Sequence, residues 1–345
     1  MLSKKVMWFG FGFMAVMFYL LLRKIDWQNL WSAFAQFHVI WIIPALVIYL
    51  LGYVIRGFRW KILLSPVKKC RFQSLFPTLV IGFMANNLLP ARAGEFVRAY
   101  LNGTKEKISR SASLATIVLE RIFDGLAMMI MLWAALSFGN LPIREESMPM
   151  GIQQAIKACP YVFGTAFLFF FLLLLFKNMA VFVINFFTRH APLKFRKPLN
   201  KIAHTFFDGL KILKNAKETF LVLATSIAAW TCEFSGYYLL AIGMGIAPSP
   251  LSFWSAALLM AIVNLAILVP NAPGGFGLFE YVGVKLLGPF GISPELALGY
   301  MLVVHFVVWI PINLLGFYFM SRDHLSLGKL EKSRDKEISY IRKRK

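Results

Sequence analysis

The sequence predicts an all-α polytopic membrane protein, with about six full transmembrane helices plus two re-entrant, broken-helix hairpins that form inverted repeats. Three observations carry this. Hydrophobic residues fill 59% of 345 positions and 34 of them are phenylalanine, more apolar surface than a soluble core of this size can bury. Two apolar runs are interrupted by matching breaks: in each, a glycine follows a proline by four residues and a phenylalanine comes two later, at Pro90, Gly94 and Phe96 and again at Pro270, Gly274 and Phe276. Paired Pro/Gly interruptions in two halves of a membrane protein point to a binding site of the transporter type. Finally, the basic residues lie in short clusters between apolar runs, as expected of loops that hold a membrane protein in one orientation.

Taken in order, Lys4 and Lys5 precede an apolar run at 6–22 that ends in Arg23-Lys24 with no small-residue cleavage site, so it reads as a retained span rather than a leader. Further apolar runs occupy 39–54, 72–89, 111–138, 161–176, 219–242, 253–269 and 296–320. The pieces that follow the breaks, 96–101 and 276–287, are too short to cross, since a crossing takes about 20 helical residues. Charge decides the topology. If 72–89 and 253–269 dip in and return on their own side, 30 of the 37 Lys and Arg residues face the cytoplasm. Arg23, Lys24, Arg144, Lys157 and Lys285 then lie outside, and Arg92 and Arg121 stay at membrane depth. Both termini are cytoplasmic in this arrangement. The units 39–138 and 219–320 are then inverted, with their two tips facing each other inside the bundle. Residues 1–320 form one integral membrane domain and 321–345 a basic cytoplasmic tail.

Two amphipathic stretches flank this frame. Trp27, Leu30, Trp31, Phe34 and Phe37 recur at helical spacing, as do apolar residues among the lysines of 199–213. Each suits either the membrane surface or packing against the bundle. The net charge of +21 is accounted for by the positive-inside clusters, so nucleic acid is not expected as a partner. Cys70, Cys159 and Cys232 sit on separate segments without metal or disulfide spacing, and no metal or other cofactor is expected. A phosphate-loop motif is absent from the sequence, so no ATP engine is visible.

The residues suited to chemistry gather at the breaks. Pro90 stops one helix and Gly94 permits a tight turn into the next. The start of that second helix, with Arg92 and Arg98, suits a phosphate or carboxylate, and Glu95 favours the dipole or pairs with an arginine. A structural Glu–Arg pair that merely closes the turn is the alternative. The second break carries Pro273, Gly274, Gly275 and Gly277, with Glu280 a turn further on; three glycines in four residues allow close approach of a ligand or of another helix. In Glu120-Arg121-Ile122-Phe123-Asp124, Glu120 lies about 14 Å along its helix and shares a face with Asp124. Three ionisable residues at that depth should face the bundle interior and pair with the hairpins, as part of a site or as a structural network. Asn86, Asn87, Glu233 and Asn264 sit where they would line the same space, while His305, alone on an apolar helix, reads as a satisfied core histidine.

Arg56-Gly57-Phe58-Arg59-Trp60, Leu89-Pro90-Ala91-Arg92-Ala93-Gly94-Glu95 with Arg98, Glu120-Arg121 with Asp124, and Pro273-Gly274-Gly275 with Gly277 and Glu280 resemble the flippase-like membrane domain of lysylphosphatidylglycerol synthases, in that order and over about residues 10 to 320. The resemblance implies a cytoplasmic-membrane protein related to lipid translocation. Those synthases add a large soluble aminoacyl-transfer domain; the stretch after Ser321 is too short to be one, so aminoacyl transfer is not expected. The leading expectation is a translocase of a phospholipid or polyprenyl lipid whose anionic headgroup binds at the facing tips. The alternatives are an enzyme acting on a lipid phosphate and an accessory subunit of a lipid or glycolipid pathway. Membrane lipids are the expected partners, with a homo-oligomer or a pathway enzyme as possible protein partners.

Overall fold

A computed structural model describes residues 2–23, 25–89, 93–138, 154, 161, 165, 215–267 and 272–325. Arg92, the stretch at 199–213, the tail beyond 325 and nearly all of the run at 161–176 lie outside the described residues. Every described element is helical. Helix α1 is Leu2–Leu22, α2 Trp27–Gln36, α3 Ile42–Leu64, α4 Phe72–Leu88, α5 Gly94–Glu106 and α6 Arg110–Phe138. Beyond the undescribed segment come α7 Ala216–Gly243, α8 Phe253–Ala266, α9 Leu278–Leu287 and α10 Pro294–Arg322.

Polar side chains start the helices where the apolar sequence alone would not fix a boundary. Asp26 accepts from the amides of Gln28 and Asn29 at the head of α2, Asn215 from Lys217 at α7, and Ser293 from Leu296 at α10. Helix α3 runs nearly three turns beyond the apolar run at 39–54, which carries Arg56 and Arg59 into the helix rather than into a loop.

Contacts define two opposite ends of the bundle. At one end Lys68 Nζ donates to the Glu106 carbonyl at 2.6 Å, and Lys105 is ion-paired with Asp323. That end collects the close of α3, α5 and α10. At the other, the His38 amide donates to the Gly243 carbonyl at 2.9 Å and Phe138 packs on Trp254. Helices α3, α6, α7 and α10 therefore connect the two ends. By contrast α4 and α5 fold back: Gly94 lies against Gly82, and twelve residues later Glu106 returns to Ser74, whose hydroxyl donates to it at 2.5 Å. From the opposite end α8 runs inward and α9 returns beside α10, with Glu280 facing His305 and Gly283 facing Met301.

Helices α3 and α7 pack antiparallel: Gly236 approaches the Ala45 carbonyl, Gly52 approaches Cys232, and Arg59 reaches Ser226. Around this central pair α4 packs on α10 and α8 on α6, and α4 also touches the turn at Pro273–Gly275. Among the described residues, two helices are long and apolar enough to cross a membrane by composition alone, at Val39–Leu64 and Pro294–Arg322. At 29 and 28 residues α6 and α7 are each about 42 Å long, but they carry ionisable residues near mid-length. Outward, Ile43, Val47 and Leu51 on α3 and Phe306, Ile310 and Leu314 on α10 stand exposed at four-residue spacing, apolar faces that suit lipid rather than water. Helix α2 buries Leu30 and Ala33 against the bundle at Gly299 and turns Trp27 and Trp31 outward, so its stripe both packs and leaves two aromatics for the surroundings.

Candidate functional site

At the first break the two helices meet almost backbone to backbone. A Cβ on Gly94 would overlap the Gly82 carbonyl oxygen, so only glycine permits this crossing. The amide of Gly94 donates to Asn86 Oδ1 at 2.9 Å, which satisfies one of the donors that a helix N-terminus leaves open. Glu95, in the first turn of α5, accepts from Arg121 Nε at 2.9 Å. A narrow recess beside this turn is lined by Gly82, Phe83, Asn86, Gly94, Glu95, Arg98 and Arg121.

Behind the recess lies a continuous charge network. Arg98 grips Glu120 with both terminal nitrogens, at 3.1 and 2.6 Å, while its guanidinium lies 3.7 Å from the centre of the Trp60 ring. Glu120 also meets Arg59 Nη2 at 3.1 Å. Arg59 in turn donates to Asp124 Oδ1 at 2.5 Å and to Ser226 at 2.8 Å, and the Trp230 indole donates to the same carboxylate oxygen at 2.9 Å. Asp124 is shared again with Arg121, at 3.4 Å. One turn along α3, Arg56 pairs with Glu233 at 2.7 Å and lies between the rings of Tyr53 and Trp230. Asn264 completes this arm, donating to Glu233 at 3.4 Å.

Four guanidinium groups thus face four carboxylates: Arg56, Arg59, Arg98 and Arg121 against Glu95, Glu120, Asp124 and Glu233. The set is electrically neutral, which is what lets it exist in an apolar bundle. Its centre is dry, with Arg59 and Glu120 both 0% exposed. Its edge is not: the Arg121 side chain is 31% exposed and that of Glu95 23%, both toward the recess. Among the described residues, Arg56 Nη1, Arg59 Nε and Arg98 Nε are buried without a hydrogen-bond acceptor, so the network carries more donors than its carboxylates use.

The second break is built differently. Gly274, Gly275 and Gly277 take φ of +74°, +82° and +87°, backbone that side-chain-bearing residues rarely adopt. Gly277 also lets α1 approach, since its missing Cβ would meet the Met14 carbonyl and Met17. Pro273 opens the turn. Glu280, fully buried, accepts from the Gly277 amide at 2.7 Å and meets His305 at 2.5 Å.

The described site residues read from the sequence fall into two groups, one at the recess and its charge network and one at the second break, and two corrections follow. Arg56, Arg59 and Arg98 are not part of the surface charge facing the cytoplasm; all three are buried in the network. Removing them leaves 27 of the 30 assigned to that side, against five outside. Arg98 lines the recess but is not a free anion ligand, because Glu120 holds it on both terminal nitrogens. Asn87 is half-buried on α4. The acid partners Arg56 and Arg59, with Ser226 and Trp230, were missed as site residues; the clue was the acid pair Glu120 and Asp124, which demanded buried cations one or two turns from a span end. His305 is satisfied as read, though its partner Glu280 was not anticipated. Among the described residues, no group of three His, Cys, Asp or Glu side chains gathers to hold a metal.

Comparison with known proteins bears on this arrangement. A UPF0104 membrane protein of Methanocaldococcus jannaschii is 27% identical over 252 residues, covering 72% of this chain and 98% of the relative. A second one from the same organism is 22% identical over 291 residues, covering 81% and 84%. The glycosyltransferase AglD of Haloferax volcanii is 27% identical over 293 residues, which cover 76% of this chain but only 46% of AglD. The profile described as the lysylphosphatidylglycerol synthase TM region matches residues 7–316, spanning both breaks and the charge network between them. The chain is therefore a membrane protein and belongs to the lysylphosphatidylglycerol synthase transmembrane-region family.

Proposed function

We propose that this protein translocates an anionic lipid, a phospholipid or polyprenyl lipid, across the cytoplasmic membrane, with the headgroup entering at the first break. The observation that carries the reading is the neutral network of four arginines and four carboxylates whose most exposed pair, Arg121 and Glu95, borders a recess. A headgroup phosphate competes with Glu95 for the Arg121 guanidinium, which can bind it through two nitrogens at once. Arg92, two residues before Gly94 in the sequence, is assigned to the same headgroup in this reading, one positive charge beyond a set that otherwise cancels. The unused donors on Arg56, Arg59 and Arg98 offer further hydrogen bonds once the network shifts. The name of one relative, a glycosyltransferase, favours a place in a lipid or glycolipid pathway and leaves room for a pathway enzyme as partner.

The topology that fits this role has six full spans and two re-entrant hairpins in one membrane domain at 1–320, with both termini cytoplasmic. Its support is the return of α5 to the starting level of α4, the ion pair joining Lys105 to Asp323, and the antiparallel packing of α3 on α7, the equivalent helices of the units 39–138 and 219–320. Single cysteines at 105 and 214 should be labelled only from the cytoplasm, and at 145 and 288 only from outside. External labelling at 105 removes the first hairpin and the inverted repeat with it.

The functional test is lipid translocation by purified protein in liposomes, read as headgroup accessibility, with thermal stability measured in parallel. Arg92→Lys should keep the fold and the charge yet slow transport, since an ammonium cannot make the paired contact. Normal transport by a well-folded Arg92→Ala protein would sink the headgroup site.

A further inference from the structure

The second break contains a pair of titratable groups that the charge network does not use. His305 Nδ1 lies 2.5 Å from Glu280 Oε1, and His305 Nε2 lies 3.0 Å from the Gly274 carbonyl oxygen. The other carboxyl oxygen of Glu280 accepts from the Gly277 amide. Glu280 is 0% exposed and His305 3%. The imidazole is held between Phe276 and Phe279, each ring centroid 4.3 Å away.

Donor counting fixes the proton content of this arrangement. A carbonyl oxygen only accepts, so Nε2 must carry a hydrogen. Nδ1 then either carries one as well, as an imidazolium facing a carboxylate, or accepts one from a protonated Glu280. Both assignments hold the same number of protons, one more than a neutral histidine beside an ionised glutamate. Without that proton, a lone pair would face an acceptor at one of the two contacts, Nδ1 on Glu280 or Nε2 on the Gly274 carbonyl, and a buried carboxylate would have no cation beside it.

We propose that Glu280 and His305 form a proton-binding site that loads and releases one proton at the second break, and that this proton is the coupling ion for translocation; the coupling rests on the translocase reading, whereas the proton site does not. On release, one proton goes to water and the neutral imidazole keeps a single N–H. Held on Nδ1 it still bonds Glu280 but turns a lone pair on the Gly274 carbonyl; held on Nε2 it bonds Gly274 but turns a lone pair on the carboxylate, so one of the two contacts that tie the second break to α10 is lost, next to the turn that touches α4.

Among the described residues, neighbouring elements supply no charge to replace it. Helices α2, α4 and α8 carry no ionisable residue. On α7, Glu233 is tied to Arg56 and Tyr237 meets Phe279. On α3, Tyr49 donates to the Val308 carbonyl, and Arg56 and Arg59 belong to the network. Helix α1 carries Lys4 and Lys5 at its far end and Tyr19. On α9, Lys285 lies over Tyr281; α10 adds Glu295, Tyr300, Tyr318 and Arg322, toward its ends or, for Tyr300, bonded to the Tyr237 carbonyl.

Glu280→Gln is the informative variant. Its amide nitrogen can donate to Nδ1 while its oxygen accepts from Gly277, so both bonds survive with a neutral imidazole and nothing to release. Infrared difference spectra of the purified protein in lipid nanodiscs, between acidic and alkaline buffer, should show one coupled carboxyl and imidazole titration in wild type. The signal should be lost in Glu280→Gln and equally in His305→Gln, the second variant serving if the first folds poorly. In liposomes, an imposed proton gradient should speed lipid movement several-fold in wild type and not in Glu280→Gln. No titration in wild type, or a titration that persists in both variants, overturns the proton site. Titration without any lipid movement upholds the site and instead fails the translocase reading. Lipid movement indifferent to the gradient overturns the coupling.

Discussion

The two breaks share a plan and differ in chemistry. Each interrupts an apolar helix with proline and glycine, turns back, and starts a short helix with a glutamate in its first turn, Glu95 in one and Glu280 in the other. At the first, the glutamate joins a cluster of eight charges that cancel; at the second it meets one histidine and a backbone amide. The difference teaches how a membrane bundle holds ionisable groups. Guanidinium groups do not give up their protons in a protein, so Arg59 and Arg98 need permanent carboxylate partners. A histidine can become neutral, so the pair at the second break can exist in two states.

Removing a carboxylate from the network and from the second break should therefore differ in cost. The largest effect belongs to Glu120→Ala, which leaves Arg98 without its carboxylate and Arg59 with Asp124 alone, and should lower stability by about 3 to 5 kcal/mol. Thermal unfolding and folded yield would show it against Glu145→Ala in the 139–153 segment, and equal yields would mean that Glu120 is not buried in the membrane-embedded protein. Glu280→Ala should cost less, about 1 to 3 kcal/mol, because His305 can become neutral and only hydrogen bonds are lost. If it proves as damaging as Glu120→Ala, the two breaks are energetically alike and the contrast fails. Arg121→Lys, at the part-exposed edge, should change stability by less than about 1 kcal/mol while reducing transport, which separates the recess from the core of its own network.

The smallest effect lies outside the membrane-spanning segments. Burial pushes the Cys70 thiol up to about 11, with a hydrogen bond and the charge of Glu106 adding to it. A raised value means little thiolate at neutral pH, so maleimide labelling of Cys70 should be slow there and quicken as pH rises toward that value. Glu106→Gln removes the lesser causes and keeps the burial, so labelling should quicken only roughly two- to threefold. A much larger gain would mean that Ser74, Lys68 and Cys70 hold the base of the first hairpin less tightly than their contacts with Glu106 indicate.

Much of this was legible in the sequence, for reasons that differ by residue. Pro90 and Gly94 announce a break because their backbone limits are local. Glu120 and Asp124 announce burial because four residues place them on one face of an apolar helix. Arg56 and Arg59 hid in plain view: they follow an apolar run among other basic residues, and nothing local separates a buried arginine from a surface one. Their partners lie far along the chain, Asp124 at 65 residues from Arg59 and Glu233 at 177 from Arg56. Spacing within a helix carries no signal about such pairs. Glu280 and His305 were each visible, but only the fold of α9 against α10 makes them one object.

The Arg56–Glu233 pair also sets a condition on biogenesis. When the ribosome has delivered residues 39–138, the network already has all four of its arginines but only Glu95, Glu120 and Asp124 to neutralise them. The missing carboxylate arrives with α7, along with Ser226 and Trp230, which hold Arg59 and Asp124 in place. Until then the first unit is a half-finished object with one positive charge too many for the bilayer. Asp323, the partner of Lys105, arrives later still, directly after α10.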